Sequence, residues 1–175
     1  MDNKAEQLNE PGKEELAELV KGLLWQLRLT DAFWFVYTED EEGLEQAENR
    51  NARVWGKVSA LAARDIKKRF NIQEKGLKGF VQAMKYFCWT MMVEYQLEYQ
   101  GKELVLKVPV CPAQEGRKKH GLNEYRCKEM HHKEFQNFAR EIDEDIKVCC
   151  DFAPPDPHPD NQYCQWRFYL QPRRD

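Results

Sequence analysis

From Glu14 the apolar positions Leu16, Leu19, Val20, Leu23, Leu24 and Leu27 recur at the three-and-four spacing of an amphipathic helix, which predicts one buried stripe. Thr30 or Asp31 can cap a second segment, Ala32 to about Glu41, where Phe33, Trp34, Phe35, Val36 and Tyr37 leave few positions for solvent. Gly43 breaks the pattern. A long helix follows, with Val54, Trp55, Val58, Leu61, Ala62 and Ile66 on one face, and its basic end suits the helix dipole. A shorter helix is expected from about Gly76 to Tyr86, presenting Leu77, Phe80, Val81 and Met84.

The period then changes from three-and-four to two. Between Trp89 and Tyr99, the residues Trp89, Met91, Val93, Tyr95, Leu97 and Tyr99 alternate with Thr90, Met92, Glu94, Gln96 and Glu98, which predicts a strand. Gln100-Gly101 supplies a turn, and Leu104, Leu106, Val108 and Val110 continue as its hairpin partner, ending near Pro109. After a loop of about fifteen residues, Met130, Phe135, Phe138, Ala139 and Ile142 mark a helix. Ile146, Val148, Cys150 and Phe152 predict a third strand, and Cys164, Trp166, Phe168 and Leu170 a fourth. Between these two strands lies Ala153 to Asn161, whose four prolines keep it out of a ladder. The fold class is therefore α+β: N-terminal helices, then β-β-α-β-β, with a four-stranded antiparallel sheet packed against helices. Residues 1–12 are expected to be a flexible tail, and 13–175 a single domain.

At 175 residues, 42% hydrophobic and 33% charged, the chain has the makings of a packed core and a solvated surface. Its 27 basic and 30 acidic residues give a formal charge of −3, so it lacks the positive excess that nucleic-acid binding uses. The polar start and the shortness of the apolar run Ala32 to Tyr37 point away from secretion and membrane insertion. The expected location is cytoplasmic, where six cysteines stay reduced or bind metal. A homo-oligomer remains compatible with this reading.

No phosphate loop, nucleophile-elbow serine or His-Glu-x-x-His helix is present. Five of the six cysteines and all four histidines fall between Cys111 and Cys164, and thiolate with imidazole is the ligand set zinc prefers. The candidate metal set is Cys111, Cys127, Cys150 and His158. The bland reading makes Cys150 and Cys164 small core residues, Cys88 packing, and His131 and His132 solvated. Cys149 and Cys150 are adjacent, so a regular strand sends them to opposite faces. Cys111 and Cys127 border the long loop among Gln114, Arg117 and Lys128, whose cations would lower a thiol pKa if the loop folds back. His158 stands between Pro157 and Pro159, with Asp156 and Asp160 placed to orient its ring or to serve as turn residues. Gln114, Arg117 and Asp156 are the candidate ligand-binding residues. Glu94, Glu98, Lys147 and Arg167 are expected to form cross-strand pairs on a wet face.

The runs Cys111-Pro112-Ala113-Gln114-Glu115 and Gly121-Leu122-Asn123-Glu124-Tyr125-Arg126-Cys127, with the hairpin ending Cys164-Gln165-Trp166-Arg167-Phe168, resemble an uncharacterised bacterial cytosolic family. That family looks like a distant relative of the L-2-amino-thiazoline-4-carboxylic acid hydrolase-like proteins and of the four-vinyl reductase ligand-binding domains. The resemblance implies that Cys111 and Cys127 match the two cysteines bracketing the loop in the first group, and Cys164 the terminal-hairpin cysteine of the second. Cys164-Gln165-Trp166 departs from the Cys-x-Phe pattern of that hairpin. Three functions follow as expectations: a non-catalytic domain binding a small molecule or a metal such as zinc, a hydrolase of a small cyclic amidine or amide using a cysteine with His158 as base, or an interaction module without a site.

Overall fold

The structure is a computed structural model, and it describes residues 11–171. The expected tail of residues 1–12 lies almost wholly outside that range. The chain divides into two compact units, one up to Trp34 and one from Phe35 onward, where the sequence predicts a single domain from residue 13.

Helix α1 runs Lys13–Glu42 as one helix of 30 residues, so the two expected N-terminal segments are continuous. The reason is visible at Thr30, whose hydroxyl donates back to the Gln26 carbonyl at 2.9 Å instead of capping a new start. Gly43 ends the helix with φ 89°, a left-handed conformation in which L side chains are strained. Its amide donates to the Glu39 carbonyl and its carbonyl accepts from Ala47, so one glycine closes α1 and opens α2 (Leu44–Arg69).

Helices α3 (Gly76–Met84) and α4 (Cys88–Met92) follow, then β1 (Gln96–Gln100) and β2 (Glu103–Val108). The strand expected from Trp89 thus begins only at Gln96. The preceding residues form a short helical turn, in which the Val93 amide donates to the Trp89 carbonyl at 2.8 Å. The expected long loop contains α5 (Pro112–Lys119), with proline in its first turn and three basic residues in its last. Helix α6 (Lys128–Ile142) and strands β3 (Ile146–Phe152) and β4 (Cys164–Leu170) complete the chain.

The sheet is antiparallel with order β1-β2-β4-β3, so β4 inserts between β2 and β3. Leu104 and Leu106 of β2 pair with Phe168 and Trp166 of β4, and all four are buried on the helix-facing side. A bulge between Cys150 and Phe152 sets Phe152 opposite Gln165, which ends the regular inward alternation of β3. On the other face Arg167 bonds Asp151 and Glu103, and Lys107 bonds Glu98, giving cross-strand pairs of the expected kind. Glu94 and Lys147 are not part of that set: Lys147 instead donates to the Glu144 carbonyl.

Phe80, Phe87, Phe135, Phe138, Phe168 and Trp166 are fully buried between the helices and the sheet. Each such side chain contributes about 1.5–3 kcal/mol by leaving water, which makes this aromatic group the main stabilising core. Phe80 meets Phe138 edge to face at 5.9 Å. Helices α2 and α6 pack closely, and at their crossing Asn137 Nδ2 donates to the Gly56 carbonyl at 2.8 Å. Helix α6 also covers the free edge of β3, where the Gln136 amide donates to the Ile146 carbonyl at 3.1 Å and accepts from the Val148 amide at 3.3 Å. One side chain thereby takes the place of a neighbouring strand.

Candidate binding cleft

Helix α5 carries two of the expected ligand-binding residues, and both are committed to structure. Gln114 is fully buried; its Nε2 donates to the Tyr125 carbonyl at 3.0 Å and its Oε1 accepts from the Tyr125 amide at 3.2 Å. The same Nε2 lies 3.6 Å from Cys127 Sγ. Arg117, 8% exposed, donates to the Asn123 carbonyl and forms a bidentate pair with Glu39 at 2.5 and 2.9 Å. Its guanidinium lies 5.8 Å from the Phe35 ring and 6.0 Å from that of Tyr125. Arg117 therefore fixes α5 to the last turn of α1 and lowers the Glu39 pKa by hydrogen bonding. Its guanidinium is thus spent on Glu39 and the Asn123 carbonyl rather than on a thiol.

Burial disfavours the thiolate at four of the cysteines. Burial pushes Cys111 up, Cys127 well above its ordinary value, and Cys164 to about 12. Cys150 is also raised to about 12 by burial, although Lys128 pulls in the opposite direction. A nucleophilic cysteine needs the reverse, a thiolate stabilised near neutral pH. Cys149 is exposed and Cys150 partly buried, on opposite faces as strand geometry requires.

His158 has its own set of partners. Nδ1 meets the Pro159 carbonyl at 3.0 Å and Nε2 meets Glu124 at 3.1 Å, so acceptors engage both ring nitrogens and raise its pKa. Lys118 donates to the Tyr163 hydroxyl at 2.7 Å and pairs with Glu124 at 3.2 Å, while Tyr163 donates to Glu115. Burial tends to raise the Glu124 pKa, but His158 and Lys118 outweigh it and leave it lowered. This network ties the proline-rich loop to α5 and leaves His158 with neither nitrogen free to act as a base. Among the described residues, no three of the histidine, cysteine, aspartate and glutamate side chains gather so as to hold a metal ion. The zinc set of Cys111, Cys127, Cys150 and His158 thus finds no support in the geometry.

Cys150 instead lines an open cleft of about 540 Å³. The first turns of α2 supply Glu45, Glu48, Asn49 and Ala52, the start of α6 supplies Lys128, Glu129, Met130 and His132, and Arg126 and Pro155 complete the lining. Glu48, 9% exposed, accepts from the Arg126 amide at 2.6 Å and from its guanidinium at 2.6 and 2.8 Å. Lys128 pairs with Asp156 at 2.6 Å, and Asp156 also accepts from the Ala153 amide. Asp156, expected at a ligand, holds a cleft lysine and a turn of the proline-rich loop. Glu129 pairs with Lys133. Glu45 is in no ion pair among the described residues, though its charge acts on Arg126 at longer range, and it is exposed at the rim. The sequence reading missed Glu45, Glu48 and Arg126, because charges near a helix start look like ordinary solvated positions. Only the 78-residue separation between Glu48 and Arg126, closed by folding, gives them a common place.

These features define an α+β fold with a mixed-charge cleft. The chain belongs to a family of unknown function, DUF6125, whose model matches residues 9–170. The expectation of an uncharacterised family is met, while the hydrolase-like and four-vinyl reductase families are not what that match identifies. No curated protein matches the chain. Among solved structures it is similar to trafficking protein particle complex subunit 3 from Naegleria fowleri, covalently bound to palmitic acid, at 12% identity and a TM-score of 0.45. That match covers 90% of this chain and 93% of the other, and a likeness this weak carries no argument about function. Among the described residues, no helix is long and apolar enough to cross a membrane.

Proposed function

We propose that this chain is a non-catalytic domain that binds a small organic cation with an apolar body. The observation that carries the reading is the 540 Å³ cleft, a volume typical of small-molecule sites, with a floor of Ala52, Met130, Cys150 and Pro155 beneath converging charges. The internal pairing of those charges selects the ligand. Arg126 and Lys128 are tied to Glu48 and Asp156, and Glu129 to Lys133, so the charge left for a ligand is the carboxylate of Glu45. Binding rather than turnover is favoured because burial pushes the Cys127 and Cys150 thiols up, away from a ready thiolate, and His158 is engaged at both nitrogens.

Phenethylamine and phenylacetate, two probes of similar size and opposite charge, test this by nuclear magnetic resonance titration of the full chain. The amine is expected to shift signals of Ala52, Met130 and Cys150, and phenylacetate to leave them in place. Glu45→Gln should weaken amine binding by up to about fivefold, the scale of an exposed ion pair. If neither probe moves those signals at millimolar concentration, or phenylacetate binds as well as the amine, the reading is wrong.

A further inference from the structure

The proline-rich loop is fastened beside the cleft by two ion pairs of opposite polarity. His158 of the loop meets Glu124 at 3.1 Å, and Asp156 of the loop meets Lys128 at 2.6 Å. Lys128 and Pro155 line the cleft, and Asp156 is the carboxylate that neutralises that lysine. Only the doubly protonated ring satisfies the His158 half of this clasp. The Pro159 carbonyl, 3.0 Å from Nδ1, and the Glu124 carboxylate are both acceptors, so each ring nitrogen must donate. A neutral imidazole would turn a lone pair against one of those oxygens. The Pro159 carbonyl, with Glu124, raises the His158 pKa against burial and the charge of Lys118. Tyr163, its ring centre 5.2 Å away, also faces the imidazole, and Glu115 is bonded to the Tyr163 hydroxyl.

A change at His158 reaches the cleft because the backbone between is stiff. Pro157 separates Asp156 from His158 and Pro159 follows, so φ is fixed at both prolines, and the residue before each is restricted as well. A shift at His158 is therefore passed on to Asp156 instead of being absorbed. Asp156 drawn away from Lys128 leaves an uncompensated ammonium in the cleft, which repels a cationic ligand. The charged ring is present at low pH and lost as pH rises through its native pKa, so low pH favours binding. A charge on His132, which also lines the cleft, would act in the opposite direction.

We propose that protonated His158 holds Asp156 against Lys128 and that loss of its proton weakens cation binding, a control that rests on the cleft being a cation site. Nuclear magnetic resonance titrations of the full chain with phenethylamine at pH 6 and pH 8 test it. The probe's ammonium, like that of lysine, stays charged at both. Affinity is expected to fall about fivefold from pH 6 to pH 8, the low end of coupling between two sites. In the free protein the Ala153 amide, which donates to Asp156 at 3.3 Å, should shift in step with the His158 ring protons. His158→Gln should abolish both responses, and Glu124→Gln should reduce them. Affinity that is equal at both pH values or stronger at pH 8, an Ala153 signal indifferent to the His158 titration, or a pH dependence undiminished in the variants overturns the proposal and leaves the cation site standing. Phenethylamine that binds at neither pH overturns the cation site and this control with it.

Discussion

Glu39→Leu removes the carboxylate that faces the buried Arg117 and leaves that guanidinium without its counter-charge. Breaking a buried ion pair from one side costs about 3–5 kcal/mol. Two features of the structure place the expected value at the lower end of that range. Glu39 itself retains 17% side-chain exposure, and Arg117 keeps the Asn123 carbonyl and the faces of Phe35 and Tyr125. A loss of about 3 kcal/mol is therefore expected, which for a chain of this size is a fall in melting temperature of about 6–12 °C. Urea unfolding followed by tryptophan fluorescence supplies the measurement, with Arg117→Met and the double variant closing a thermodynamic cycle. Because the double variant strands no charge, its cost should fall at least about 2 kcal/mol short of the sum of the single costs. Acid adds an independent check. Arg117 holds the Glu39 carboxyl below its ordinary range, so the pair's contribution is present above the unfolded carboxyl's pKa of about 4.3 and vanishes as pH falls through the depressed native value. The variant should lose less stability than wild type across that interval. A single-variant cost below about 0.5 kcal/mol, the level of an ordinary surface substitution, would refute the reasoning.

Gly79→Ala should destabilise the protein by about 3 kcal/mol or more, because a Cβ there would lie 2.1 Å from the Glu74 carbonyl oxygen, and this clash outweighs the roughly 1 kcal/mol that alanine gains in a helix. A variant as stable as wild type in thermal unfolding would contradict that contact. With excess iodoacetamide near neutral pH, the exposed Cys149 should react first and the buried Cys127 and Cys164 only on unfolding, as read by peptide mass spectrometry. Rapid native-state labelling of Cys127 would show an activated thiol. The raised His158 pKa contributes stability that is fully present below the unfolded value of about 6.5 and is lost as pH rises through the native value. Glu124, Lys118 and Tyr163 all face that ring, so His158→Gln should cost more at pH 6 than at pH 8, and denaturation curves with a pH-independent difference would count against it.

Periodicity revealed elements wherever one face differed sharply from the other. β2, β3, β4 and α6 each carry such a contrast, and their positions follow from it. At Trp89 to Val93 both alternating sets contain apolar residues, so the period of two carried little information and local hydrogen bonds made a helical turn. Helix α5 was hidden for the opposite reason. With one buried face built from Gln114 and Arg117, it has no apolar stripe to detect, and its signals are the proline at the start and the basic residues at the end. Thr30 had the chemistry of a cap but donated within the helix. The candidate site was legible as a list of residue types and opaque as an arrangement. Gln114, Arg117 and Asp156 were expected to meet a ligand, yet their partners in the fold are Tyr125, Glu39 and Lys128, and no spacing rule links position 39 to position 117. Cysteine number suggested metal, whereas burial made several thiols ordinary apolar packing.

The place of β4 between β2 and β3 has a consequence for biosynthesis. A ribosome releases β2 and β3 before β4, and until β4 arrives each of them presents a row of unsatisfied backbone groups toward the vacant slot. Such rows are templates for pairing with other nascent chains, and the gap closes only through contacts about sixty residues apart in the case of β2, which form slowly. Premature termination within the proline-rich connection would leave that slot permanently open, and the truncated product should aggregate rather than persist as a looser version of the same protein.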